Sequence, residues 1–260
     1  MKPPLYRISP KLDVERAARQ FRRRGRAHIP HFLEAEGAER LYRFLKGNGA
    51  WRLVINQGDK LFELDRAAQA ALDPKARAAL DQAVHAAARH GFQFRFESIR
   101  VPDEEAERAA RRDELTAFAS FLSSPPTVAL LRRITGRKAI GFADAQATAY
   151  GLGDFLTGHD DDIPGKDREA AYVFNLTPLW KIEWGGLLAF HGSDGHVAEA
   201  FTPGFNALNL FAVPQLHSVT MVSPFAAARR YSVTGWLRRR SGDAASADEG
   251  GPRGQLETRQ

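Results

Sequence analysis

The 260-residue chain contains no cysteine. That absence excludes disulfides, thiolate metal sites and cysteine nucleophiles together. Long hydrophobic runs are also lacking. Stretches such as 170–174 are far too short to cross a bilayer, and no membrane association is expected. The first residues show no charged region followed by an apolar core, so no secretory signal is read and a cytoplasmic location is expected. No internal repeat and no nucleic-acid-binding motif is found. The net charge is +6, with arginines clustered at Arg22, Arg23, Arg24 and Arg26 and again at Arg238, Arg239 and Arg240. Such clusters can attract nucleic acid or acidic partners. With little aromatic interleaving, a solvated helix face and a basic strand end are the expected readings, and nucleic acid is not expected as the direct substrate.

What is present is a globular composition, 43% hydrophobic and 26% charged, on a chain long enough for a sizeable core. Residues 1–135 read mainly as helices. Apolar spacing predicts helices over 14–24, 35–45, 115–122 and 127–134. Asp73 and Pro74 look like the N-cap and first turn of another helix, running to about His90. Residues 51–55 and 92–98 are candidate strands. From about Ala139 the pattern changes to short Val-, Phe-, Leu-, Thr- and Tyr-rich stretches between Gly, Pro and Asp turns. Strands are predicted over 145–150, 171–176, 186–190, 206–212, 216–222 and 231–237. Many short strands without intervening helices suggest a mainly β sandwich, jelly roll or barrel, with the N-terminal helices packed on it. The expected organisation is a helical region over 1–135, a β core over 136–240, and a disordered tail over 241–260 that buries too little apolar surface to order.

One short segment suggests a metal. In Thr157-Gly158-His159-Asp160-Asp161-Asp162, read as extended chain, His159 and Asp161 project to the same side and Asp160 to the other. Two histidines and a carboxylate can occupy one face of an iron(II) octahedron and leave three positions open. The pair alone is weak evidence, since eight histidines among 31 acidic residues would give about one such spacing by chance. His191 and His196 near Asp194 offer a competing pocket, but Gly192, Ser193 and Gly195 mark a turn there. His217, in a late strand, is the candidate third ligand. Thirteen residues on stands Arg230, and in its strand Arg230, Ser232, Thr234 and Trp236 alternate onto one face. An inward guanidinium needs a partner, and a ligand carboxylate suits it. Arg229 competes for that role but falls on the other face.

Together these residues resemble the 2-oxoglutarate oxygenase superfamily. His159-x-Asp161, His217 after 58 residues, and Arg230 heading Arg-Tyr-Ser-Val-Thr-Gly-Trp are most similar to the prolyl hydroxylase branch, which includes oxygen-sensing and ribosomal-protein prolyl hydroxylases. Four further pieces follow the expected order. They are Ala27-His28-Ile29-Pro30-His31-Phe32-Leu33, Tyr150-Gly151-Leu152-Gly153-Asp154, Trp180-x-x-Glu183-x-Gly185-Gly186-x-Leu188, and Pro203-x-Phe205-Asn206-x-Leu208-x-Leu210-Phe211. The resemblance covers roughly residues 27–238. It implies a double-stranded β-helix of jelly-roll, cupin-like type. It also implies a dioxygenase that uses iron(II), 2-oxoglutarate and O2, with ascorbate (vitamin C) as an accessory reductant. His159, Asp161 and His217 would hold the metal, and Arg230 the far carboxylate of 2-oxoglutarate. Asp161 favours hydroxylation over halogenation, because related halogenases lack that carboxylate.

Two departures stand out. Asn175 occupies a position where many relatives carry a tyrosine that bonds 2-oxoglutarate, so Asn175, Tyr150 and Thr234 become candidate cosubstrate contacts. The acids flanking Asp161 read as solvated turn residues. The expected substrate is a prolyl residue in a protein or peptide. One alternative is a hydroxylase of a free amino acid or small metabolite. Another, of a different class, is a catalytically silent β-helix domain that binds RNA or the ribosome.

Overall fold

The computed structural model describes residues 5–240. The expected tail, 241–260, lies outside the described residues. Asp13 caps helix α1 (Val14–Arg24) by accepting the Arg16 amide, and α1 buries Ala17 and Phe21. Strand β1 (Arg26–Ile29) follows, then α2 (Ala35–Gly47), which buries Ala38, Leu41 and Leu45 at helical spacing. A hairpin of β2 (Arg52–Gln57) and β3 (Lys60–Asp65) leads into α3 (Arg66–Ala71) and α4 (Pro74–Ala88), the latter capped by Asp73. Next come β4 (Phe94–Arg100), α5 (Glu105–Arg111), α6 (Glu114–Leu122) and α7 (Pro125–Thr135). A reciprocal Asp113–Thr116 capping box starts α6.

Apart from connections and one 3-10 turn at Ile182–Trp184, the rest of the described chain is strands. These are β5 (Phe142–Ala143), β6 (Gln146–Tyr150), β7 (Phe155–His159), β8 (Arg168–Asn175), β9 (Leu188–His191), β10 (Val197–Phe201), β11 (Ala207–Ala212), β12 (His217–Val219) and β13 (Arg230–Arg238). All pairings are antiparallel. The order β1-β11-β8-β13-β6-β4-β7-β12-β9-β10 curls into a nearly closed jelly roll of the expected double-stranded β-helix type. Residues 1–135 do more than cover it with helices: β1 extends one edge beside β11, and β4 lies between β6 and β7. The β2–β3 hairpin hangs from β4.

Strand alternation sorts the two faces. Tyr172, Phe174, Tyr231, Val233 and Leu237 pack with Phe32, Leu41, Trp51 and Phe118 in the main core under the helices. Ala171, Val173, Leu188, Phe190 and Phe211 form a smaller cluster on the opposite face, inside the roll. That inner face carries the site.

Candidate active site

His159 ends β7 and His217 begins β12, and the two are direct cross-strand partners. Their rings lie 4.1 Å apart. Asp161 reaches them differently from the sequence reading. The strand ends at His159, and Asp161 adopts a left-handed backbone with φ 66°. Its carboxylate is turned inward by this bend and not by strand alternation. Its Oδ1 lies 3.4 Å from His159 Nε2 and its Oδ2 3.5 Å from His217 Nε2. Asp160 stays exposed, and its Oδ1 accepts the Asp162 amide.

The donor set fits a cation. His159 Nδ1 lies 3.0 Å from the Thr157 carbonyl and His217 Nδ1 2.7 Å from the Gln215 carbonyl. An Nδ1–H donating to each carbonyl orients each ring with its Nε2 toward the carboxylate. Burial pushes His217 down to about 4, and neighbouring His159 acts in the same direction. Burial raises the Asp161 carboxyl, but the bond to His159 and the two imidazoles outweigh it and hold it below its usual range. Two imidazole nitrogens and a carboxylate converge on one point, a donor set that suits a divalent metal. Among the described residues this is the one such group of three. His191 instead bonds Ser218 Oγ, and Asp194 accepts the His196 amide.

Deeper in the roll lies Arg230, 1% exposed. Among the described residues no carboxylate stands within ion-pair distance of its guanidinium. Its Nη2 has one long bond, 3.4 Å, to Asn175 Oδ1, and its Nε has none. Burial lowers its pKa. Tyr150, the cross-strand partner of Arg230, presents its ring 5.1 Å from the guanidinium carbon. A buried cation lacking a counter-charge is costly, and an incoming carboxylate removes that cost. Gly186 lies against its stem, where a Cβ would come 3.3 Å from Arg230 Cδ. Arg229 points elsewhere, exposed and paired with Glu97.

A cavity of about 460 Å3 joins these parts and is lined by His159, Asp161, His217, Tyr150, Arg230 and Thr234 among others. Asn175 is not on its wall. Its side chain is fully buried between Arg230 and the Ala207 carbonyl, so it supports the arginine. The rim includes Leu61, Phe92 and Ile163, each nearly half exposed. The sequence reading missed Arg168, which also lines the cavity and stacks on Trp236 with its guanidinium carbon 3.5 Å from the ring centre. Part of each arginine cluster is ion-paired: Arg24 and Arg26 share Glu199, Arg238 pairs with Asp103 and Asp144, and Arg239 with Glu169.

Known proteins agree with this geometry. Residues 145–238 match the family model described as the 2OG-Fe(II) oxygenase superfamily. Prolyl 3-hydroxylase OGFOD1 of Xenopus laevis is 29% identical over 154 residues, 56% of this chain and 28% of that protein. The mouse protein of the same name is 29% identical over 116 residues, 42% of this chain and 21% of that protein. The matches thus span under a third of either relative. In fold, the chain is similar to a Pseudomonas putida prolyl-4-hydroxylase (TM-score 0.55, 17% identity, 88% of this chain and 100% of that one). It is likewise similar to a 2OG-Fe(II) family oxidoreductase from Burkholderia pseudomallei (TM-score 0.59, 15% identity, 91% and 95%). The stretch that matches the 2OG-Fe(II) oxygenase superfamily model, residues 145–238, is the one that carries the His-Asp-His group and the buried arginine.

Proposed function

We propose that this chain is an iron(II)- and 2-oxoglutarate-dependent dioxygenase that hydroxylates a prolyl residue in a protein. The observation that carries the reading is the pairing, in one cavity, of a three-ligand group with a buried arginine that has no counter-ion among the described residues. Iron(II) with 2-oxoglutarate and O2, when bound, supplies an oxidant that takes a hydrogen atom and returns a hydroxyl, releasing succinate and carbon dioxide. The chain's residues supply the rest. His159, Asp161 and His217 would hold the metal. Arg230 anchors the distal carboxylate, oriented by Asn175 and stacked beside Tyr150. Thr234 lies on the same wall as a hydroxyl donor. Phe94, Phe96, Val219 and Phe211 give the cavity an apolar lining.

A prolyl substrate is favoured by the OGFOD1 relatives and by a rim whose apolar side chains stand open to solvent. Ascorbate as accessory reductant and a cytoplasmic location belong to the same proposal, on the family resemblance. The test is succinate release by the full chain with iron(II) and 2-oxoglutarate, with proline-containing peptides in one arm and free amino acids in the other. Peptide-dependent release with a hydroxyproline product is expected. Release with free amino acids alone would replace the substrate, and no release with any substrate would favour a silent binding domain.

A further inference from the structure

We propose that Arg168 is a positioning residue for the metal: it holds Asp161 in the bent conformation that makes this aspartate a ligand. The inference rests on the reading of His159, Asp161 and His217 as a metal site.

Three observations lead to it. The first is the aspartate's backbone. Asp161 lies beyond the end of β7 in a left-handed conformation, which costs an L residue steric energy, though Asp less than most. The second is the grip. Arg168 Nη1 donates to the Asp161 main-chain carbonyl at 2.8 Å and stands 3.9 Å from its Oδ1. The guanidinium plane in turn lies on Trp236 at 3.5 Å, so its direction is fixed from the opposite side.

The third is how Arg168 comes to face inward at all. In β8 the inner face carries Ala171 and Val173, and strict alternation would place residue 169 inside and Arg168 outside. The pairing with β13 shifts here: Leu237 faces Ala170, but Arg238 faces Arg168, which leaves Glu169 as an extra residue. Such a bulge reverses the alternation and re-aims the next side chain. Glu169 accordingly turns away to pair with Arg239, and Arg168 enters the cavity. The bulge, the stack and the bent aspartate form one connected device.

The sign of the effect separates positioning from charge. A guanidinium this close to the site repels a divalent cation, so charge alone would make its removal tighten metal binding. Positioning predicts the opposite. The experiment titrates metal-free full-length protein with Mn(II), following free Mn(II) by electron paramagnetic resonance, in wild type, R168M, R168K and D161A. The melting midpoint of each metal-free variant is recorded alongside. R168M keeps an apolar stem on Trp236 and is expected to raise the Mn(II) dissociation constant about tenfold. R168K keeps the charge but loses the planar fork, and is expected to bind severalfold more weakly than wild type. Unchanged or tighter Mn(II) binding in R168M would overturn the proposal. If R168M does not fold, R168K decides: weaker binding supports the proposal, and wild-type binding overturns it. D161A is the control for the underlying site. If D161A binds Mn(II) as wild type does, the metal-site reading fails. If only R168M and R168K match wild type, this inference alone fails.

Discussion

Arg230 is a buried charge that, among the described residues, makes one side-chain hydrogen bond, the long one to Asn175. A charge-assisted bond is worth roughly 1.5–3 kcal/mol, so Arg230→Ala is expected to raise the half-saturating 2-oxoglutarate concentration at least about tenfold. Arg230→Lys keeps charge without the fork and is expected to lose nearly as much. Arg229→Ala removes an exposed arginine paired with Glu97 and is expected to leave that concentration unchanged. Measuring turnover against 2-oxoglutarate in the three variants checks this; a large rise in Arg229→Ala with none in Arg230→Ala would reverse the assignment. The neighbouring aspartates make a second comparison. Asp161→Ala removes a ligand and is expected to abolish iron-dependent turnover. Asp160→Ala removes only an exposed acceptor of the Asp162 amide, and most of the turnover should survive. Equal losses in both variants would contradict the ligand assignment.

Strand β13 shows how one element sets both faces of the fold. Arg230 and Thr234 line the cavity, whereas Tyr231, Val233 and Leu237 enter the main core. Between them Gly235 touches the turn before β6. A Cβ there would collide with the Asp144 carbonyl oxygen, the atom that also accepts the Tyr172 hydroxyl. Backbone cannot yield as a side-chain tip can. Gly235→Ala is therefore expected to destabilise the fold by about 3 kcal/mol, the upper range for overpacking. Urea denaturation measures it, and a change under about 0.5 kcal/mol would show that β13 and the 144 turn separate freely. The arginine-rich segments also resolve at this scale. Most of those arginines are ion-paired across elements, as Arg24 and Arg26 are with Glu199.

At the scale of the whole molecule, stability should carry a pH signature from Asp144. Burial pushes its carboxyl up to about 6, with Asp103 adding to the rise while the Trp236 amide, Arg238 and Arg168 oppose it. An acid whose pKa is raised in the folded state holds its proton longer there than in the unfolded chain. Its contribution is fully present below about 4 and is lost as pH rises through about 6. The shift of about two units corresponds to at most roughly 3 kcal/mol. Asp144→Asn keeps an acceptor for the Trp236 amide and is expected to flatten this fall between pH 4 and 6. Urea midpoints of both proteins across that range provide the check, and parallel profiles would rule Asp144 out as the source.

The sequence by itself determined much of the frame. The cap at Asp73 and apolar spacing located helices to within a few residues, and alternation in β13 separated Arg230 from Arg229. These features are local, governed by two or three residues and a fixed period. Alternation also suggested Asp161 as a partner of His159, although the chain brings it there through a left-handed bend. The bend, the bulge at Glu169, the entry of β4 between β6 and β7, and the grip of Arg168 on Asp161 were decided by tertiary structure. Each depends on a partner distant in the chain. A bulge is defined only by the strand opposite it, and an edge only by what pairs with it.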